Sequence, residues 1–185
     1  MARQLSFDEM ERVSNVKRAQ YFGLADDGDK AIVRFYHTNG DDIEKIAVHR
    51  VDIGDRKGIP VACIRELDGA VADCPLCENG SPVSARMYLK ILVYEKDNEG
   101  YYTKLPQLTI WERGSGFRKT MQSLINRYAS NGKALMDTIF EIERSGKKGD
   151  QKTQYNIYKV DDLEPDECPL PTDESNSATA RTYQL

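Results

Sequence analysis

Apolar and polar positions alternate along most of this chain with the period of two that marks half-buried β-strands. From Asp29 onward, Ala31, Val33, Phe35 and His37 are set against Lys30, Ile32, Arg34 and Tyr36, and the first set is the predicted core face. The turn signal Thr38-Asn39-Gly40-Asp41-Asp42 follows, and an extended pattern resumes over Ile43–Val51. A short strand is predicted at Pro60–Ile64. The longest alternating run, Ser84–Asp97, places Met87, Leu89, Ile91 and Val93 on one face. Arg86, Tyr88, Lys90, Leu92, Tyr94 and Lys96 fall on the other. After a turn at Asp97-Asn98-Glu99-Gly100, Tyr101–Trp111 reads as a strand that Pro106 breaks or confines to an edge. Leu108 and Ile110 are expected to point inward there, turning Thr109 and Trp111 outward.

The period then changes. Phe117, Met121, Leu124, Ile125 and Tyr128 recur at helical spacing, and Asn131-Gly132 supplies the stop. Leu135–Arg144 and Gln154–Val160 flank the basic loop Ser145–Asp150 as a hairpin. Five or six short strands, one late helix and a terminal hairpin predict a mainly β fold, a small barrel of the OB type. Residues 1–20 read as a polar arm with short helix content around Asp8–Lys17, and residues 21–160 as the barrel. Residues 161–185 read as a disordered acidic tail in which Cys168 is a spare thiol.

Charge sharpens this division. The 185-residue chain carries a net charge of −4. Its last 25 residues hold seven carboxylates and one arginine, a charge of −6, which leaves +2 for residues 1–160. The body is mildly basic and the tail strongly acidic, so the overall balance misleads about affinity for polyanions. Of the whole chain 39% is hydrophobic and 30% charged, an ordinary soluble composition, and no apolar run approaches a membrane span. The first residues, MARQLSFDEMERV, lack the apolar core of a secretory signal. A cytoplasmic, reducing setting with no membrane partner is expected, which favours thiolate ligands over disulfides.

The candidate chemistry lies between residues 49 and 80, an insertion between early strands. His49, Cys63, Cys74 and Cys77 offer the four donors of a closed structural zinc site, so one structural Zn²⁺ is expected. Gly80 can take the positive φ that completes the Cys74-x-x-Cys77 knuckle. A thiol redox centre competes, but it prefers a helix beginning at the first cysteine, and Asn79, Gly80 and Pro82 oppose one. A disulfide pair, or three unrelated free cysteines, would also account for these thiols. His37 rivals His49 for the fourth position, although its place in an alternating strand suits a packed or surface histidine. No loop resembles a phosphate cradle and neither histidine has a visible nucleophile partner, so an enzyme is not expected.

Three stretches carry a resemblance: Lys30-Ala31-Ile32-Val33-Arg34-Phe35, the order His49, Cys63, Cys74, Cys77, and the basic-aromatic strand Arg86–Lys96 with the Gly-led helix after it. Across about residues 29–160 the chain resembles the single-stranded-DNA-binding, helix-destabilising proteins of tailed phages. The resemblance implies a protein that coats single-stranded DNA in the cytoplasm of an infected bacterium during replication, recombination and repair. It implies base stacking by Tyr88, Tyr94 and Trp111, and phosphate contacts from Arg34, Arg86, Lys90 and Arg113, with Tyr36 on the same surface. The alternation of bases and rings on Arg86–Lys96 supports part of this independently, since cations take phosphates and rings accept any base. An amphipathic strand whose Tyr and Lys merely face water would show the same alternation. The resemblance also implies recruitment of replication and recombination proteins by the acidic tail. It departs in two places. Met1–Gln20 contains no basic run of the kind that supports cooperative self-association on DNA, and Ser175–Leu185 contains no acid. A zinc-ribbon adaptor acting through protein contacts and an RNA-binding OB module are the competing functions.

Overall fold

A computed structural model describes residues 20–104, 106–147, 150 and 153–171. It is mainly β, with seven strands in one antiparallel sheet. In chain order these are β1 (Lys30–Phe35), β2 (Glu44–Ile53), β3 (Arg56–Ala62), β4 (Val83–Tyr94), β5 (Gln107–Gly114), β6 (Phe140–Ser145) and β7 (Gln154–Lys159). A single helical turn, α1 (Pro75–Glu78), lies in the cysteine insertion, and a full helix, α2 (Arg118–Ala129), follows β5. The predicted polar arm, apart from Gln20, lies outside the described residues.

β4 organises the sheet because it is long enough to serve two partners along one edge. β2 pairs with its first half, from His49↔Val83 to Glu44↔Tyr88, and β1 with its second, from Phe35↔Ile91 to Ile32↔Tyr94. β5 runs along the other edge, from Arg86↔Gly114 to Val93↔Gln107. β6 extends the sheet beyond β1, and β7 beyond β6. Residues 20–22 add a short parallel bridge at β5, with Phe22 N–H donating to the Ile110 carbonyl at 2.8 Å. No ladder among the described residues joins β7 back to β5, so the sheet stays open at the level of hydrogen bonding. It does curl, since Tyr155 of β7 packs on Trp111 of β5 with ring centroids 5.4 Å apart.

The place where β1 hands over to β2 along β4 is sealed by His37, which is 2% exposed. Its Nε2 accepts the Lys90 N–H at 2.9 Å, filling the gap in the ladder, while Nδ1 donates to Asp42 at 3.0 Å. The packed role is therefore the one this histidine has. Burial lowers its pKa below the ordinary 6.5, Asp42 opposes that shift and Lys90 adds to it. Below pH 6.5 the unfolded chain takes up a proton that the native His37 refuses, so stability falls with pH, each unit of depression costing about 1.4 kcal/mol at the acid end. Thermal unfolding of metal-loaded protein between pH 7.5 and 5.5 checks this. A His37→Gln variant is expected to lose less stability on acidification than the parent.

The main core is built from the face of β4 that alternation predicted: Met87, Leu89 and Ile91, with Val33, Phe35, Phe140 and Ile142. Met121 and Tyr128 of α2 close it from one side. Gly132, at φ 66°, ends the helix as its sequence signal predicts. A second apolar cluster lies on the opposite face of the sheet, where Leu92 and Tyr94 pack with Ile139 and Cys168. This corrects the expectation for the start of the tail. Residues 161–171 dock: Cys168 is 0% exposed, and the Tyr94 hydroxyl donates to the Pro169 carbonyl at 2.8 Å. Leu163, Cys168 and Leu170 supply apolar contacts that the surrounding carboxylates conceal from a composition count. Burial raises the Cys168 thiol to about 11. Residues 172–185 of the predicted tail lie outside the described residues.

Candidate metal centre and nucleic-acid face

Local structure brings the four predicted donors together. β2 and β3 form a hairpin that carries His49 on one strand and leads directly into Cys63, whose N–H donates to the Ala47 carbonyl at 2.8 Å. The chain returns through a 3₁₀ turn at Val71–Asp73 to Cys74, and α1 begins at the next residue. A helical turn after the first cysteine was not expected. It lasts only four residues because Gly80, at φ 73°, turns the chain away and donates to the Cys77 carbonyl at 2.9 Å.

The donor atoms of His49, Cys63, Cys74 and Cys77 all lie within 4.8 Å of one another, close enough to hold a metal ion. The His49 Nε2 is 3.5 Å from the Cys74 sulfur and 3.6 Å from that of Cys77, and the Cys63 and Cys77 sulfurs are 3.6 Å apart. A tetrahedral ion with Zn–S near 2.3 Å and Zn–N near 2.05 Å requires S···S of about 3.8 Å and S···N of about 3.6 Å. The donor set and its spacing fit. His49 is 0% exposed, and its Nδ1 has no hydrogen-bond partner among the described residues. Hydrogen bonding from the Cys77 N–H holds the Cys74 thiol down at about 6, while burial and the neighbouring Cys63 and Cys74 thiols push Cys77 up to about 11.

The residues assigned to DNA by resemblance fare differently. Trp111 is 1% exposed and sits in the main core, so it is not an outward platform. Its face is set by register: Leu89↔Trp111 puts it on the core side of the sheet, the reverse of the face that Leu108 and Ile110 suggested. Tyr94 lies under the docked 161–171 segment, and the Tyr88 ring is also buried. Stacking of a base on any of these three rings requires a rearrangement of this fold. Arg34 is buried as well, donating to the carbonyls of Met136 at 3.4 Å and Pro165 at 3.0 Å. Arg113 is enclosed by the rings of Tyr155, Phe117 and Trp111 at 4.4, 5.1 and 5.2 Å. Tyr36 packs beside the second cluster, and Lys90 is half-buried. Arg86 alone of the assigned arginines reaches a charged surface group, with its Nε 3.6 Å from Glu112.

Sequence reasoning passed over Arg50, Glu112 and Tyr21, which join Arg86 on that surface. Alternation could have found Arg50, since the residue after a metal-facing His49 must point to the opposite side of its strand. No local signal marks Glu112. No helix among the described residues is long and apolar enough to cross a membrane. Comparison of this chain with protein-family models, with curated proteins and with solved structures finds no match.

Proposed function

We propose that this chain binds single-stranded DNA with little sequence preference and coats it during replication, recombination and repair, in the cytoplasm of a phage-infected bacterium. The observation that carries the proposal is the convergence of His49, Cys63, Cys74 and Cys77, in the order the resemblance requires, beside a curled sheet. The donor set suits zinc. Four protein donors complete its tetrahedron, the arrangement of structural rather than catalytic sites, so the role of the ion is to hold the β2–β3 module in place. The packing of Tyr155 on Trp111 across the open edge supports an OB-type barrel, a fold that binds oligonucleotides across one face. Binding then rests on cations that neutralise phosphates and rings that accept any base. Residues beyond Pro171 keep Asp173 and Glu174 for replication or recombination partners, and self-association on DNA is expected to be weak.

A second reading has its own support. Ile64, Leu67 and Val71 flank the metal ligands and are 68%, 94% and 52% exposed, as a zinc-ribbon adaptor that binds protein would require. Salt dependence separates the two. The log affinity for oligothymidylate is expected to fall linearly with log salt, with a slope of about −0.7 per neutralised phosphate. A slope near zero favours the adaptor. Stronger competition by oligouridylate than by oligothymidylate favours an RNA-binding module.

A further inference from the structure

Three strands deliver charged side chains to one spot on the sheet face opposite the main core. Arg50 of β2 bonds the Oε1 of Glu112 on β5 and also donates to the Gly58 carbonyl at 2.8 Å. Arg86 of β4 brings its Nε within 3.6 Å of the same oxygen without making a hydrogen bond there. One carboxylate oxygen thus serves two guanidinium groups, and the cluster keeps a net positive charge. All three side chains reach solvent, with exposures of 37% for Arg50, 29% for Arg86 and 18% for Glu112. Gly114, paired with Arg86, carries no side chain, and a Cβ there would stand 3.2 Å from the guanidinium.

Rings border the same spot. Tyr88 is paired with Glu112 across the ladder. Burial, then the charges of Glu112 and Tyr21, raise its phenol, and Arg50 and Arg86 oppose that shift. Tyr21, held against Ile110 by the short parallel bridge, is 56% exposed. Beyond Tyr21 opens a groove of about 780 Å³, whose walls include Lys96, Tyr102, Glu95 and a Lys30–Glu141 ion pair.

We propose that Arg50 and Arg86 form a phosphodiester-binding site for single-stranded DNA, that Glu112 occupies it as an internal anion when no strand is bound, and that Tyr21 stacks the adjoining base. The inference rests on the function proposed above and names where that function is carried out. A guanidinium fork matches phosphate as well as carboxylate geometry, and a phosphodiester offers two unesterified oxygens where Glu112 presents one. An entering phosphate relieves that sharing and displaces Glu112 toward water. The strand then continues over Tyr21 into the groove. The zinc module contributes directly, since Arg50 follows the metal donor His49 on β2 and faces the other way.

The test is binding of the full-length, metal-loaded protein to fluorescein-labelled oligothymidylate at several salt concentrations. Arg50→Ala and Arg86→Ala are each expected to weaken binding and to make the log–log salt slope shallower by about 0.7. Tyr21→Ala should weaken it by roughly five- to a hundredfold, the range of one lost base stack. Glu112→Gln removes the competing anion and should tighten binding several-fold at low salt, with the gain shrinking as salt screens it. Metal content and thermal unfolding verify the fold of each variant. Should either arginine variant fail to fold, Glu112→Gln and Tyr21→Ala, both altered at the surface, still decide. Normal binding by the parent with unchanged affinity in Glu112→Gln and Tyr21→Ala would reduce the cluster to a structural ion pair. Failure of the parent itself to bind would instead overturn the single-strand function.

Discussion

Cys77→Ser protein is expected to retain almost no bound metal and to unfold at a much lower temperature than the parent. The insertion that Cys77 closes has little core of its own: Ile64, Leu67 and Val71 are all exposed, and the buried groups of the segment are largely the donors themselves. A metal ion held by these donors would therefore be its main source of order, and binding free energy becomes folding free energy when the unfolded chain has no preformed site. A loss on the order of several kcal/mol is expected, and each kcal/mol lowers the melting temperature of a chain of this size by about 2–4 °C. Metal analysis and thermal unfolding measure both effects, and hydrogen exchange should show the loss of protection concentrated in residues 63–82. Cys168→Ser is the control, because that thiol lies in the second apolar cluster away from the site, and it should keep a full complement of metal. Cys63→Ser protein with full metal occupancy would remove Cys63 from the ligand set.

Trp111→Ala should cost about 3–5 kcal/mol of stability, the range for emptying a large aromatic site in a packed core. The indole is buried against Phe22, Phe35, Phe117 and Tyr155, with centroid separations of 5.7, 6.4, 5.1 and 5.4 Å. Truncation would leave these rings facing a void, and it would also remove one of the aromatic faces around Arg113. Denaturant titration gives the stability loss. The informative companion is Trp111→Phe, which keeps most of the packing and should bind oligothymidylate like the parent. A stably folded Trp111→Phe protein that no longer binds the oligonucleotide would return the indole to the DNA surface and contradict its burial here.

These two substitutions mark the difference between what short-range and long-range structure encode. The metal donors were legible because their spacing is a local property: two cysteines on one turn, a third at the end of a hairpin, a histidine across that hairpin. The preference for His49 over His37 was also legible, and the fold adds its reason, since His37 satisfies the otherwise unpaired N–H of Lys90. The residues assigned to DNA by resemblance were less legible. Alternation assigned the core face of β4 because Arg86 and Lys90 interrupt the other one, but it could not orient β5, whose Leu108, Thr109, Ile110 and Trp111 offer no polar face to exclude.

By itself, the sequence determined that this protein is mainly β, that one amphipathic helix follows the strand after Pro106, and that four donors can meet at one ion. Each of those depends on a period or a spacing of a few residues, which the backbone translates into geometry wherever it folds. Tertiary structure alone decided that Trp111 is core, that residues 161–171 cover Tyr94 and Arg34, and that Arg50 and Arg86 share Glu112. Those outcomes follow from which strands are neighbours and in what register. Neighbours are chosen by burying the whole apolar surface at once, and no window of sequence carries that sum.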